Sequence, residues 1–356
     1  MVFIPVIRRM KVGTRIRLGG YTMSYVTRIF TALLLVFAIG AVSAQGADRK
    51  EPIHVAVSVY STGPVFMRKW LNDLNRHPAV LDGRVKLHVF DCAGSHAFQH
   101  MHFETISTLR YDAVIVVAND FYASQRLVGL LAGTGIPVVA SCAQTNTDDL
   151  DAFIGPDDIR AGYLTAISVA EALDGHGNVV VLRGLSDQGA TKHRTIGISE
   201  ALREYPGVKE IRSTPGNWSR AEAMQVVQGL IDRGIRIDGI IAQNDEMALG
   251  ALAILKANAK TAIPVASIDG LPDAVDAVQR GELLQTLRQD SALQAQGALD
   301  LTLRELIGRE YAPESPAWPV ELLEQWEADS QHRYIVRWEV ITAPKMALST
   351  NSPQGK

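Results

Sequence analysis

The sequence predicts an α/β protein built as two doubly wound parallel-sheet lobes in series. Two observations carry that prediction. Short apolar runs of strand type alternate with longer helical patterns along most of the chain, which marks βαβ units and a parallel sheet. The alternation then starts again after Phe153-Ile154-Gly155-Pro156-Asp157-Asp158, so one architecture occurs twice. A chain of 356 residues is long enough for two ordinary domains, and two such lobes leave a cleft between them.

In the first half the pattern predicts strand 53–59, helix 64–75, strand 85–90, helix 97–109, strand 112–117, helix 123–133 and strand 136–140. Pro64 suits the first helical position, where its missing N–H costs nothing. The second half predicts helix 160–173, strand 178–182, helix 190–204, strand 208–213 and helix 219–233. It continues with strand 237–242, helix 246–257, strand 263–267, helix 272–279 and strand 283–288. Arg333 to Ile341 reads as a final strand, in a tail from Tyr311 to Lys356 that holds both Pro and Trp.

The first 44 residues read as an export signal. Met23 to Arg28 gives a basic start, Ile29 to Val42 an apolar run too short for a comfortable membrane span, and Val42-Ser43-Ala44 a small-residue cleavage site. Met23 is the expected initiator; a retained N-terminal anchor is the alternative. These residues hold six basic and no acidic side chains, so the mature net charge is −3 − 6 = −9. That disfavours nucleic acid or an anionic membrane surface as partner.

The most telling stretch is Gly239-Ile240-Ile241-Ala242-Gln243-Asn244-Asp245. A buried-strand run delivers three polar residues to the start of a small-residue helix, and open α/β sheets bind ligands at such strand ends. The alternative is an ordinary helix start capped by Asn or Asp.

Ala242 to Ala251 resembles the signature segment of type I periplasmic binding proteins of the ribose- and galactose-binding class. The resemblance runs from about Ile53 to Arg309. It implies lobes 45–156 plus 290–331 and 157–289 plus 332–345, with a disordered tail 346–356. Three crossings would form a hinge, near Gly155 to Asp157, Arg288 to Asp290 and Gln331 to Tyr334. The family strand order 2-1-3-4-5 puts two strands between those preceding Cys92 and Cys142, about 14 Å at 4.8 Å per step. A disulfide needs Cα atoms within about 7 Å, so two free thiols are expected.

The same resemblance implies a ligand set of Phe66, Arg194, Trp218, Asn244, Asp269 and Gln289. Arg194 offers donors in a fixed fork, Asn244 both donates and accepts, and Asp269 accepts from neighbouring hydroxyls. Trp218, and Phe66 with it, would pack on the C–H face of a sugar. Four have a plainer alternative: a surface arginine for Arg194, a helix cap for Asp269, a loop amide for Gln289, and a core stripe with Trp70 and Leu74 for Phe66. The first lobe departs from the family at Gly63, Val65, Cys142 and Ala143, where sugar binders often carry Asn, an aromatic residue and an Asp-Arg pair.

No nucleophile elbow, P-loop or dinucleotide fingerprint is present, so no catalytic residue, cofactor or metal is expected. His96, His100 and His102 read as solvated helix histidines. The expectation is a monomeric periplasmic protein that closes on a sugar or polyol. Its partner would be the permease of an ABC importer, or alternatively a sensor kinase or chemoreceptor.

Overall fold

The computed structural model describes residues 51–131, 133–328 and 332–343; the expected signal segment and the 346–356 tail lie outside them. The chain begins β1 (Ile53–Val59), α1 (Val65–Leu74), α2 (Pro78–Leu81), β2 (Val85–Asp91) and α3 (His96–Thr108). It continues β3 (Ala113–Val117), α4 (Ala123–Leu131), β4 (Val138–Ser141) and β5 (Ala152–Pro156). The second series runs α5 (Asp158–Ala172), β6 (Gly177–Arg183), α6 (Gly189–Glu204), β7 (Val208–Pro215) and α7 (Arg220–Asp232). Then come β8 (Gly239–Ala242), α8 (Asp245–Ala257), β9 (Val265–Asp269), α9 (Pro272–Gln279) and β10 (Gln285–Arg288). The last elements are α10 (Ser291–Ile307), α11 (Val320–Ala328), β11 (Arg333–Val336) and β12 (Glu339–Thr342).

Two six-stranded sheets result, ordered β11-β5-β4-β3-β1-β2 and β12-β10-β9-β8-β6-β7. Every pair is parallel except β10 with β12. The central strands are buried along their whole length: β3 is Ala-Val-Ile-Val-Val and β8 is Gly-Ile-Ile-Ala. Helices cover both faces, so these strands read as continuous apolar runs without alternation.

The chain passes between lobes three times. At the first two passages Asp157 and Asp290 cap α5 and α10, accepting from Arg160 N and Leu293 N. The third falls later than expected. β11 pairs with β5 in the first lobe and β12 with β10 in the second. The tail therefore crosses at Arg337 and Trp338, and residues 333–336 belong to the first lobe rather than the second. The single strand expected over 333–341 is two strands, one per sheet.

Helices α2, α10 and α11 have no counterpart in the sequence pattern. α10 is buried on nearly every side, including Gln294, Gln296, Asp300 and Arg304, and a helix wrapped all round shows no one-sided apolar stripe. Its Asp300 collects the tail. The carboxylate accepts from Tyr311 Oη at 2.8 Å, Trp318 Nε1 at 2.7 Å, and the amides of Glu314 and Ser315 at 2.8 and 3.2 Å. His77 Nε2 lies 3.0 Å away on the other side. Trp318, Trp326 and Tyr334 then pack edge to face and tilted against one another. Cys92 and Cys142 are both buried and free. Among the described residues no helix is long and apolar enough to cross a membrane.

Candidate ligand site between the lobes

The site begins with a close helix crossing. Gly162 on α5 and Gly197 on α6 leave no room for a β-carbon, which would stand 2.0 Å from Arg194 O and 1.9 Å from Ile159 O. That approach brings Asp158, at the start of α5, to Arg194 on α6. Arg194 is 3% exposed. Its Nε donates to Asp158 Oδ1 at 2.8 Å, and Nη1 donates to the carbonyl of Gln243. Arg194 is thus a buried, oriented side chain rather than a surface one.

Trp218 and Trp338 flank the guanidinium, with ring centres 5.6 and 5.7 Å from its carbon. Trp218 sits where Gly184 has no side chain; a β-carbon there would lie 1.9 Å from the indole. Its Nε1 donates to Gln188 Oε1 at 2.7 Å. Trp338, in the third passage, donates from Nε1 to the carbonyl of Asp157 at 2.7 Å.

The polar cluster after β8 divides its work. Gln243 is a strut: Oε1 accepts from Gly184 N at 3.0 Å, and Nε2 donates to Thr195 Oγ1 at 2.9 Å. Asp245 is another, accepting from the hydroxyls of Ser267 and Thr286 and from Leu271 N. Asn244 caps α8 through Oδ1, which accepts from Met247 N at 3.0 Å, and its amide nitrogen is left for the cavity. The cap alternative is therefore real for Asn244, and compatible with a second duty.

Asp269 ends β9 and does not cap the helix that follows; Leu271 occupies that position without a side-chain bond. Its Oδ1 accepts from Gln289 Nε2 at 2.7 Å. Burial raises its pKa, opposed by Arg194 and reinforced by the nearby Asp245. Burial likewise raises Asp158, with Arg194 opposing. Backbone strain concentrates here. Cys142, Trp218 and Asp269 all line the cavity with φ of 66°, 61° and 130°, and such conformations persist only where the surroundings enforce them.

All six expected residues, Phe66, Arg194, Trp218, Asn244, Asp269 and Gln289, meet at this one cavity between the lobes. Trp70 and Leu74 are core while Phe66 is only partly buried, so the stripe ends at the site. The cavity leaves about 50 Å³ for water centres, roughly 200 Å³ of free space once the water radius is added to a round hole. That accommodates one five- or six-carbon polyol.

Sequence reasoning missed Tyr60, Gln188 and Glu246, which also line it. Tyr60 follows β1, so the rule that strand ends face the cleft could have found it. Gln188 belongs to no motif. It is 3% exposed, and its Nε2 has no partner among the described residues. Glu246 is occupied by Arg220, at 2.7 Å. Of the three histidines, His96 is exposed, as the solvated reading has it, but it is flanked by two carboxylates. Its Nδ1 lies 3.0 Å from Asp120 and its Nε2 3.6 Å from Asp187 of the other lobe.

A sequence model described as a periplasmic binding protein domain matches residues 55–310. The chain belongs to the periplasmic binding protein family. This periplasmic binding protein is 30% identical to a putative rhizopine-binding protein of Rhizobium meliloti over 279 residues, 75% of this chain and 89% of that one. It is 35% identical over 189 residues to a xylitol-binding protein of Mycolicibacterium smegmatis, spanning 53% of this chain and 54% of the relative. In three dimensions it resembles a myo-inositol-bound solute-binding protein of an ABC transporter from Bacillus halodurans. There the TM-score is 0.71 at 23% identity, covering 83% and 96% of the two chains. That likeness bears on the fold.

Proposed function

We propose that this protein is exported to the periplasm, captures one small neutral polyol or sugar between its lobes, and delivers it to an ABC importer. The charge balance of the cavity carries the ligand class. Among the described residues its one cation, Arg194, is already matched by Asp158 at 2.8 Å, with Asp269 at 3.9 Å. An anionic ligand would meet buried carboxylates without a spare cation. Hydroxyls suit the groups that remain: Asn244 and Gln188 amide donors, the Arg194 N–H groups beyond those given to Asp158 and Gln243, and Asp269 as acceptor. The relatives named for xylitol and rhizopine support the same class.

Contacts from both lobes on one ligand would stabilise the closed arrangement. The lobes already touch opposite the hinge, where Phe121 N donates to Asp187 O at 2.8 Å. A thermal-shift panel of pentitols, cyclitols, aldoses and small acids tests the ligand class. A ligand at 100 times its Kd stabilises by about 2.7 kcal/mol, and a response confined to acids would refute the proposal. Uptake of the responding polyol in a strain lacking the gene tests delivery; unchanged uptake would remove the importer role and leave a sensing one.

A further inference from the structure

We infer that the preferred ligand is a deoxy compound, hydroxylated along one edge and bearing hydrogens or a methyl group along the other. This rests on the polyol reading and narrows it. The observation is an unequal division of the cavity between lobes. The second lobe supplies five hydrogen-bonding side chains, Gln188, Arg194, Asn244, Asp269 and Gln289, beside Glu246, the Trp218 ring and Ala190. The first lobe faces them with Pro64, Val65, Phe66, Val117, Ala118 and Ala143, none of which can donate or accept from its side chain.

Among the described residues the first-lobe wall adds three more side chains: Met67, whose thioether is only a weak acceptor, Tyr60 and Cys142. Tyr60 brings one hydroxyl, and burial pushes its pKa up, so it stays a neutral phenol. Cys142 brings a thiol, a weak donor and weak acceptor, kept protonated by burial. A fully hydroxylated hexose carries hydroxyls around its whole rim. Those turned to this wall would leave water and find, among its side chains, one phenol, one thiol and one thioether. A hydroxyl stripped of water and left unpaired weakens binding, whereas a methyl or methylene in its place gains from burial. A hydrophobic wall rejects an added hydroxyl by about a hundredfold at most.

The ligand therefore lies with its vicinal hydroxyls toward Arg194, Asn244 and Asp269. Its deoxy edge lies against Val65, Val117 and Ala143.

The test uses matched pairs differing by one oxygen: 6-deoxy-D-galactose with D-galactose, L-rhamnose with L-mannose, 2-deoxy-D-ribose with D-ribose, and a deoxyinositol with myo-inositol. Calorimetry on the full protein measures each pair, and Val65→Asn places an amide on the wall. The expected result is that the tightest-binding pair favours its deoxy member by about 10- to 100-fold, and that Val65→Asn, with unchanged melting temperature, narrows the ratio. A parent that binds as tightly as its deoxy partner, or more tightly, overturns this inference and leaves the polyol reading standing. No response to any member overturns both.

Discussion

Arg194 Nη1 stands 3.9 Å from Asp269 Oδ1, beyond hydrogen-bond range, while Nε of the same guanidinium is fixed on Asp158 at 2.8 Å. The guanidinium is thus anchored through Nε on Asp158 and through Nη1 on the Gln243 carbonyl, and Nη1 also faces the Asp269 carboxyl across a gap. A ligand hydroxyl placed there can accept from Arg194 and donate to Asp269 at once, which a carbon atom cannot do.

Replacing Arg194 by Ala removes a charge-assisted donor pair and should weaken binding by at least about 1.5 kcal/mol. It also leaves Asp158 buried without its cation, so unliganded stability should fall by about 3–5 kcal/mol. Lys keeps the charge and loses the fork, and should recover stability better than affinity. Calorimetry and urea melts on both variants check this; affinity unchanged in Arg194→Ala would take Arg194 out of the site.

Asp269 gives a pH signature. Its folded-state pKa is raised, by burial first, while the unfolded chain ionises near the ordinary carboxylate value of about 3.9. Below that value both states are protonated and no penalty exists. As pH rises the unfolded state ionises first, and the native state loses stability up to its own raised pKa. Asp269→Asn cannot ionise, so it should gain stability on the wild type between about pH 5 and pH 8, by at least about 1.4 kcal/mol, the worth of a tenfold change in proton affinity. Urea melts of both proteins at the two pH values check this. An equal gap at both would contradict the burial argument.

Trp218 should report ligand. Its indole is 8% exposed and hydrogen-bonded to Gln188 at the cavity wall. Excluding water from that wall should change the emission. Trp218→Phe should lose most of the change, while Trp326→Phe, in the tail cluster, should keep it. The reverse pattern would place the signal elsewhere.

The tail has its own anchor in Asp300. Four protein donors and His77 converge on that carboxylate, so Asp300→Ala should cost about 3–5 kcal/mol with ligand affinity nearly unchanged. Limited proteolysis should then cut after Tyr311 first. A loss of affinity without loss of stability would mean that the tail acts on the site directly.

Most of the architecture was readable from the sequence because parallel strands buried on both faces give dense apolar runs, and Pro272–Gln279 even falls on its expected bounds. The candidate cavity was readable in part for the same reason: Asn244 and Asp269 stand just beyond or at the ends of β8 and β9, where open α/β sheets leave a crevice. What failed was local pattern. α10 hides its polar residues inside the molecule, and no stripe announces it. The tail's crossing at Trp338 depends on which sheet edge each short strand finds, a tertiary choice. Gln188 and Asp158 matter through partners 30 and 36 residues away, Trp218 and Arg194, and no spacing rule links them.

The most direct measurement is a calorimetric comparison of neutral polyols with acids of the same carbon skeleton: xylitol against xylonate, and D-galactose against D-galacturonate. If Arg194 is already matched by Asp158, the neutral member should bind at least about 100-fold tighter, since a carboxylate would add an uncompensated buried charge worth about 3 kcal/mol or more. The acid binding as well as the neutral compound, or better, would contradict the account.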